Sequence, residues 1–197
     1  YYSIGAMITA FLLMLPASIS EVLFPGLLKK IAIAKDNTEI STYLKKYMNI
    51  SSFLYAFVII TIVLSIPFII KFFLPKYIPG IPSAQILVIS SYPLIFQSLF
   101  TYYLYGRNKL KSLIIPNILS IFLYLGIFII IKELNFANII TVSIISLTLS
   151  SILTYVFIIT TFLYLKESYI NIFKNVAKTF VLLMLIIGVL IFSHFFS

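Results

Sequence analysis

The chain has 197 residues, of which 62% are hydrophobic and 10% are charged, and its mean hydropathy is +1.16. A soluble domain is about 45–50% apolar and about 25% charged, so a soluble core could not hide this apolar surface and lipid must cover most of it. The sequence has no cysteine, which excludes disulfides and thiol chemistry. The net charge is +9, and the basic residues lie in short loops, where they indicate the topology of a membrane protein rather than nucleic-acid binding.

Six apolar runs are long enough to cross a bilayer, which needs about 20 residues. None alternates with a period of two, so helices are the expected way to satisfy the backbone in lipid. We predict six transmembrane helices, at 2–28, 48–70, 84–105, 112–131, 138–163 and 177–196. The predicted fold class is therefore an all-α polytopic protein of the cell membrane.

The basic residues divide unevenly between the two sides of this predicted membrane domain. Eleven of the fourteen follow the first, third and fifth helices, and three follow the second and fourth, namely Lys71, Lys76 and Lys132. The positive-inside rule makes the first side cytoplasmic, so the first helix runs from outside to inside. The chain would then start outside without a signal segment, and its first residue is Tyr1 rather than Met. We therefore expect that further helices precede it.

The first predicted helix contains LPASISEVLFPGLLKK, in which Glu21 lies between Pro16 and Pro25. Each proline removes a backbone hydrogen bond, so we expect two kinks, each with a freed carbonyl one turn earlier. Glu21 shares a face with small side chains, which predicts that it points into the bundle. The members of this face are Ala10, Met14, Ala17, Glu21, Pro25 and Leu28. There Glu21 is either a protonatable or cation-binding group in a cavity, or an acid satisfied by a polar neighbour.

The linker 29–47 is predicted to hold a short amphipathic helix on the cytoplasmic surface. Asp36, Asn37 and Thr38 offer an N-cap, and Glu39 suits the first turn. Apolar side chains then recur at helical spacing, opposite Glu39, Lys45 and Lys46. They are Ile40, Tyr43, Leu44, Tyr47 and Met48.

The outer loop FLPKYIPGIPSA holds Pro75, Pro79 and Pro82, which predict an extended and stiff cap. In the next two helices, the amides of Gln97 and Asn117 must find partners in a low-dielectric bundle. They could line a polar pathway or tie helices together.

Ser146, Ser150 and Thr154 repeat every four residues in the fifth helix, which predicts close helix packing. Arg107 and Lys71 could each attract phosphate, and Arg107 also fits an interfacial anchor. Catalytic and nucleotide-binding motifs are absent from the sequence, which has one histidine and one aspartate. We therefore predict no enzymatic activity, no metal site and no cofactor.

Three stretches resemble polysaccharide flippases, a family in the superfamily that includes multidrug and toxin extrusion proteins and lipid II flippases. The first is LPASISEVLFPGLLKK with the linker AKDNTEISTYLKKYM, the second is FLPKYIPGIPSAQILVIS with Tyr77, and the third is YGRNKLKSLIIPNILSIFLYLGIFIII with Asn117. The resemblance covers roughly residues 1–135 and consists of helix spacing and loop chemistry.

This resemblance implies a transporter of about 12–14 helices in two lobes, related by an axis along the membrane normal. The six helices would form the C-terminal lobe, and the missing N-terminal lobe of the same chain would be its partner. Such proteins move lipid-linked oligosaccharide across the membrane by alternating access around a polar cavity. We expect Glu21, Gln97 and Asn117 to line that cavity, with membrane lipid and lipid-linked glycan as ligands.

Three other functions stay open at this point. One is a cation-coupled multidrug antiporter with the same fold. Another is a membrane-embedded enzyme of glycan assembly whose catalytic part lies outside this sequence. The third is a helical scaffold inside a larger synthesis complex.

Overall fold

Six α-helices and one 3-10 helix make up the computed structural model, which describes residues 2–33, 37–109, 111–133 and 138–195. In chain order they are α1 (Tyr2–Ile33), α2 (Asn37–Phe73), the 3-10 helix (Pro75–Gly80), α3 (Ile81–Gly106), α4 (Lys111–Glu133), α5 (Ile139–Tyr164) and α6 (Tyr169–Phe195). Within the described residues, α1, α2, α3, α5 and α6 are long and apolar enough to cross a membrane. The predicted all-helical class with several such helices is confirmed, and the fourth predicted span corresponds to the 23-residue α4.

The linker between the first two predicted spans differs from the expectation. α1 continues to Ile33, and α2 begins at Asn37 and runs unbroken to Phe73, while Asp36 lies outside the described residues. The predicted apolar face exists, since Ile40 and Leu44 are fully buried. It packs into the protein core instead of lying on the membrane surface. A separate surface helix was therefore the wrong prediction.

The outer loop is also more compact than predicted. Pro75 and Pro79 lie in a 3-10 helix that ends at Gly80, and Pro82 lies in the first turn of α3. Proline fixes φ near −65°, a value that a 3-10 helix shares with extended proline-rich chains, so the prolines alone could not choose between the two. The backbone N–H of Tyr77 donates to the carbonyl of Leu74 at 2.8 Å and tightens the turn.

Helices α1, α3 and α5 run parallel to one another, with α3 in the middle. The Ser20 and Ser98 hydroxyls of α1 and α3 lie 2.6 Å apart, and the same distance separates Ser83 of α3 from Ser143 of α5. Further along the same pair of helices, Ser150 donates to the carbonyl of Ser90 at 3.2 Å. The pairs between α3 and α5 keep the same sequence separation of 60 residues, so the two helices stay in register.

Small side chains allow this close approach of α3 and α5. Ser150 and Thr154 are buried and Ser146 is half-buried, so the predicted packing role is confirmed for the first two. Helices α2 and α6 form a second layer, in which the Lys178 amine donates to Asn49 at 2.9 Å. One apolar cluster joins the layers, with Phe100, Phe157 and Phe162 among its buried members.

Candidate functional site

The carboxylate of Glu21 is exposed on α1, so the prediction that it points into this bundle is wrong. Among the described side chains, the buried stripe of α1 faces α3 and consists of Gly5, Leu12, Pro16, Ser20 and Leu27. Glu21 lies one residue, about 100° of rotation, beyond Ser20. It therefore shares the outward face with Met14, which is 62% exposed.

The two prolines lie inside an otherwise continuous α1. Pro25 has no N–H, so the main-chain carbonyl of Glu21 lacks its usual helical donor. The carboxylate and this carbonyl of Glu21 thus offer oxygen acceptors at one level of the helix. The helix continues for twelve residues beyond Glu21, which places the residue about 18 Å from the helix end.

A groove of about 380 Å³ lies between α1 and α3 and brings several predicted polar residues together. Its lining residues are Leu13, Pro16, Ala17, Leu94, Gln97, Ser98, Thr101 and Tyr102. Glu21 follows Ala17 by four residues, so it lies on the same side of α1, next to the groove. At this level the rings of Phe24 and Tyr102 pack with their centroids 4.6 Å apart.

Asn117 does not belong to this groove. Its side chain is exposed on α4, a helix that packs more closely against α5 than against α3. Of the three predicted cavity residues, the structure therefore places Gln97 in the groove and Glu21 beside it, with Asn117 on a different helix surface.

A buried polar contact beneath α1 was missed by the sequence analysis. The hydroxyl of Ser20 lies 2.6 Å from that of Ser98 and 3.4 Å from the phenol oxygen of Tyr47. This contact joins α1, α2 and α3 at the level of Glu21. Two features of the sequence could have indicated this contact: Ser20 is next to Glu21, and Tyr47 belongs to the predicted apolar face.

A second cleft, of about 490 Å³, lies between α1 and α2, and we call it the tyrosine cleft. Its lining residues are Ile19, Glu39, Thr42, Tyr43, Lys46, Tyr47, Ile50, Ser51, Leu54 and Tyr55. Tyr55 is 4% exposed, and its hydroxyl has no hydrogen-bond partner among the described residues. No sequence pattern predicted this cleft.

A buried amide compensates for a proline in α2. Pro67 cannot donate to the carbonyl of Val63, four residues earlier. The Nε2 of Gln85 on α3 donates to that carbonyl at 3.0 Å, and Gln85 is 1% exposed. The pairing of Gln85 with Val63 was not predicted from the sequence, because the two residues are distant in the chain.

The two candidate phosphate-attracting cations have different environments. Arg107 is half-buried, and its Nη2 donates to Oδ1 of Asn37 at 2.9 Å, which ties the end of α3 to the start of α2. Lys71 is exposed in the last turn of α2, where a cation is favourable to the helix dipole.

The connection between α5 and α6 places Glu167 against α2. Lys166 adopts a left-handed conformation with φ 58°, and the N–H of Glu167 donates to the carbonyl of Phe162 at 3.1 Å. The amine of Lys45 lies 2.7 Å from Oε1 of Glu167, and Ser41 also donates to this oxygen. The contact between Arg107 and Asn37 lies at the same end of the bundle. The loops that were predicted to be cytoplasmic therefore meet at this end.

Burial alone would raise the pKa of Glu167, but hydrogen bonds from Lys45, Ser41 and Asn171 and the charge of Lys45 outweigh it. The pKa of Glu167 therefore lies below its ordinary value of 4.5. A carboxyl group with a lower pKa in the folded protein stabilises the fold above the unfolded value, and this stabilisation is lost as the pH falls through the folded value.

We expect acidification below about pH 4.5 to lower the melting temperature of the purified protein, and Glu167→Gln to reduce this dependence on pH. At neutral pH the pair is partly exposed, so the substitution should cost about 1 kcal/mol. Thermal melts by circular dichroism between about pH 3 and about pH 7 would measure both effects. A Lys45→Met variant provides the control, because its cost should not add to that of Glu167→Gln. Additive costs would contradict the pairing.

Comparison with known proteins yields no relative: no protein-family model, no curated protein and no solved structure matches this chain.

Proposed function

We propose that this chain is a six-helix lobe of a two-lobe transporter in the cell membrane, which flips lipid-linked oligosaccharide or polysaccharide precursors by alternating access. The observation that carries the proposal is the exposed carboxylate of Glu21 beside the polar groove between α1 and α3. The family resemblance in three stretches of sequence supplies the substrate class.

The surroundings of Glu21 support this proposal first. A carboxylate within a membrane-spanning helix is costly when it faces acyl chains. Because Glu21 points away from the other helices of this chain, water or another protein surface must lie against it. A hydrated cavity between two lobes meets this requirement.

The polar groove beside Glu21 is the second support for the proposal. Gln97, Ser98, Thr101 and Tyr102 supply amide and hydroxyl groups that can both donate and accept hydrogen bonds. These are the groups that suit sugar hydroxyls. A glycan headgroup bound here would leave hydrocarbon behind, since a sugar–pyrophosphate cannot cross about 30 Å of acyl chains unaided.

A cation-coupled multidrug antiporter of the same fold is the second candidate. The carboxylate of Glu21 and the carbonyl that Pro25 frees are both oxygen ligands, and unwound or broken helices use such groups to hold a coupling cation. The same pair would couple a flippase to an ion gradient, so the transported molecule distinguishes the two functions.

The test uses the full-length protein in proteoliposomes loaded with a labelled lipid-linked oligosaccharide. We expect the label to change leaflet without chemical conversion, and Glu21→Gln to slow this movement about fivefold, equivalent to about 1 kcal/mol on the barrier. Lys174→Gln is the control, because it neutralises an exposed charged side chain that lies outside the groove.

Three results would contradict the proposal. Chemical conversion of the glycan lipid would indicate an enzyme, and cation-dependent drug efflux without lipid movement would indicate the antiporter. Unchanged flipping by Glu21→Gln, at equal expression, would remove Glu21 from the mechanism.

A further inference from the structure

One face of α2 lines the tyrosine cleft over its whole length. From Glu39 to Tyr55 this face spans sixteen residues, or about 24 Å along the helix. The two charges lie in its first half, and the second half, beyond Lys46, alternates hydroxyl and apolar side chains. This order follows the direction from water into hydrocarbon, because α2 starts at the end of the bundle where the basic loops meet.

Two opposite charges stand at the aqueous end of the cleft. Glu39 and Lys46 are both exposed, and neither forms an ion pair within the part of the chain that the structure describes. They lie two turns apart on one face, about 10 Å along the axis, with Glu39 nearer the water. A ligand that fits both must carry an outer cation and an inner anion.

The inner end of the cleft, away from the two charges, holds a polar group without a partner among the described residues. Tyr55 is 4% exposed, and its phenol finds no acceptor among the described residues. A buried hydroxyl that lacks a hydrogen bond is unfavourable, so an acceptor on a ligand would be stabilising. Tyr47 and Ser51 contribute further hydroxyls to the same wall.

Three of the remaining lining side chains are apolar and exposed. Ile19, Ile50 and Leu54 are 44%, 58% and 52% exposed. Apolar side chains that border a cleft at membrane depth suit a hydrocarbon chain.

We propose that the tyrosine cleft binds a zwitterionic aminophospholipid, phosphatidylethanolamine. Its ammonium group meets Glu39, its phosphate meets Lys46, its ester carbonyls accept from the cleft hydroxyls, and an acyl chain lies along Ile50 and Leu54. The charged headgroup of this lipid thus meets the charged half of the cleft, and its esters and acyl chain meet the half in which hydroxyl and apolar side chains alternate.

The headgroup chemistry distinguishes this lipid from its commonest alternatives. A primary ammonium donates up to three hydrogen bonds to a carboxylate, whereas the trimethylated ammonium of phosphatidylcholine donates none. Phosphatidylglycerol can pair with Lys46 but offers no cation to Glu39. This inference concerns a bound lipid and does not depend on the transported substrate.

The test equilibrates the purified full-length protein with liposomes that contain phosphatidylethanolamine, phosphatidylcholine and phosphatidylglycerol in equal amounts. Bound lipid is then counted by native mass spectrometry. We expect phosphatidylethanolamine to exceed each of the other two about threefold to fivefold. This competition uses the wild-type protein, so it does not rely on the folding of any variant.

Variants then assign the groups. Glu39→Gln should abolish the preference over phosphatidylcholine, Lys46→Gln should weaken binding of all three lipids, and Tyr55→Phe should weaken binding about fivefold without changing headgroup preference. Lys174→Gln, at an exposed lysine of α6, is the matched control and should change nothing. Equal binding of the three lipids, a preference for phosphatidylglycerol, detergent as the only occupant, or a preference that survives Glu39→Gln would each overturn the proposal.

Discussion

Replacing Gln85 by Met is expected to destabilise the bundle by about 2 kcal/mol, because it leaves the buried carbonyl of Val63 without a donor. Met has a similar volume and can fill the space, so lost packing contributes little. The physical cause is the missing N–H of Pro67, which makes the amide of Gln85 the only side-chain donor to that carbonyl within the described residues.

The control is the same substitution in a Pro67→Ala background. The alanine restores an N–H four residues after Val63, so the carbonyl no longer needs Gln85. The oxygen Oε1 of Gln85 is buried without a partner among the described residues, so removing it there is expected to be neutral or stabilising. The double-mutant cycle should therefore give a coupling of about 2 kcal/mol. Thermal melts in detergent by circular dichroism would measure it, and equal costs in the two backgrounds would refute the compensation.

Replacing Gly5 by Ala is expected to destabilise the contact between α1 and α3 by about 2 kcal/mol. A Cβ added at Gly5 would lie 2.7 Å from the Cα of Ala84, which is backbone and cannot rotate away. The helices would have to separate at this end. The overpacking outweighs the gain of about 1 kcal/mol that Ala normally gives over Gly inside a helix.

Gly26→Ala is the matched control, since it is the same change in the same helix. A Cβ added at Gly26 meets nothing within 4 Å, so this substitution should raise stability by up to about 1 kcal/mol. Melting temperatures of the two variants should therefore shift in opposite directions. Shifts of the same sign would show that α1 and α3 do not approach at Gly5 as closely as the structure places them.

The fold class follows from the sequence because each apolar run has the length that a membrane demands. The packing of Ser150 and Thr154 was also predictable, since small residues repeat at helical spacing on that face. The structures of the loops after α1 and α2 were harder to predict from the sequence. A proline-rich segment can be extended or 3-10 helical, and an amphipathic segment can bury its apolar face in lipid or in protein.

The candidate site was less predictable because α1 has small residues on more than one face. Ala17 suggested one packing face, whereas Gly5 and Ser20 form the one that contacts α3, and the difference of about 100° moves Glu21 outward. The roles of Gln85 and Tyr55 depend on which helices are neighbours, which the order of residues along the chain does not reveal. A polar residue opposite a helix-internal proline is nevertheless a recognisable signal of such a pair.

The unbroken α2 has a mechanical consequence. Its 37 residues form a rod about 55 Å long, whereas the hydrocarbon core is about 30 Å thick. One end of this rod must therefore stand in water, where Asn37 meets Arg107. Tilting such a rod by about 10° around its centre would displace the end in water by about 5 Å, so a change of shape within the bilayer would move that end sideways at the membrane surface.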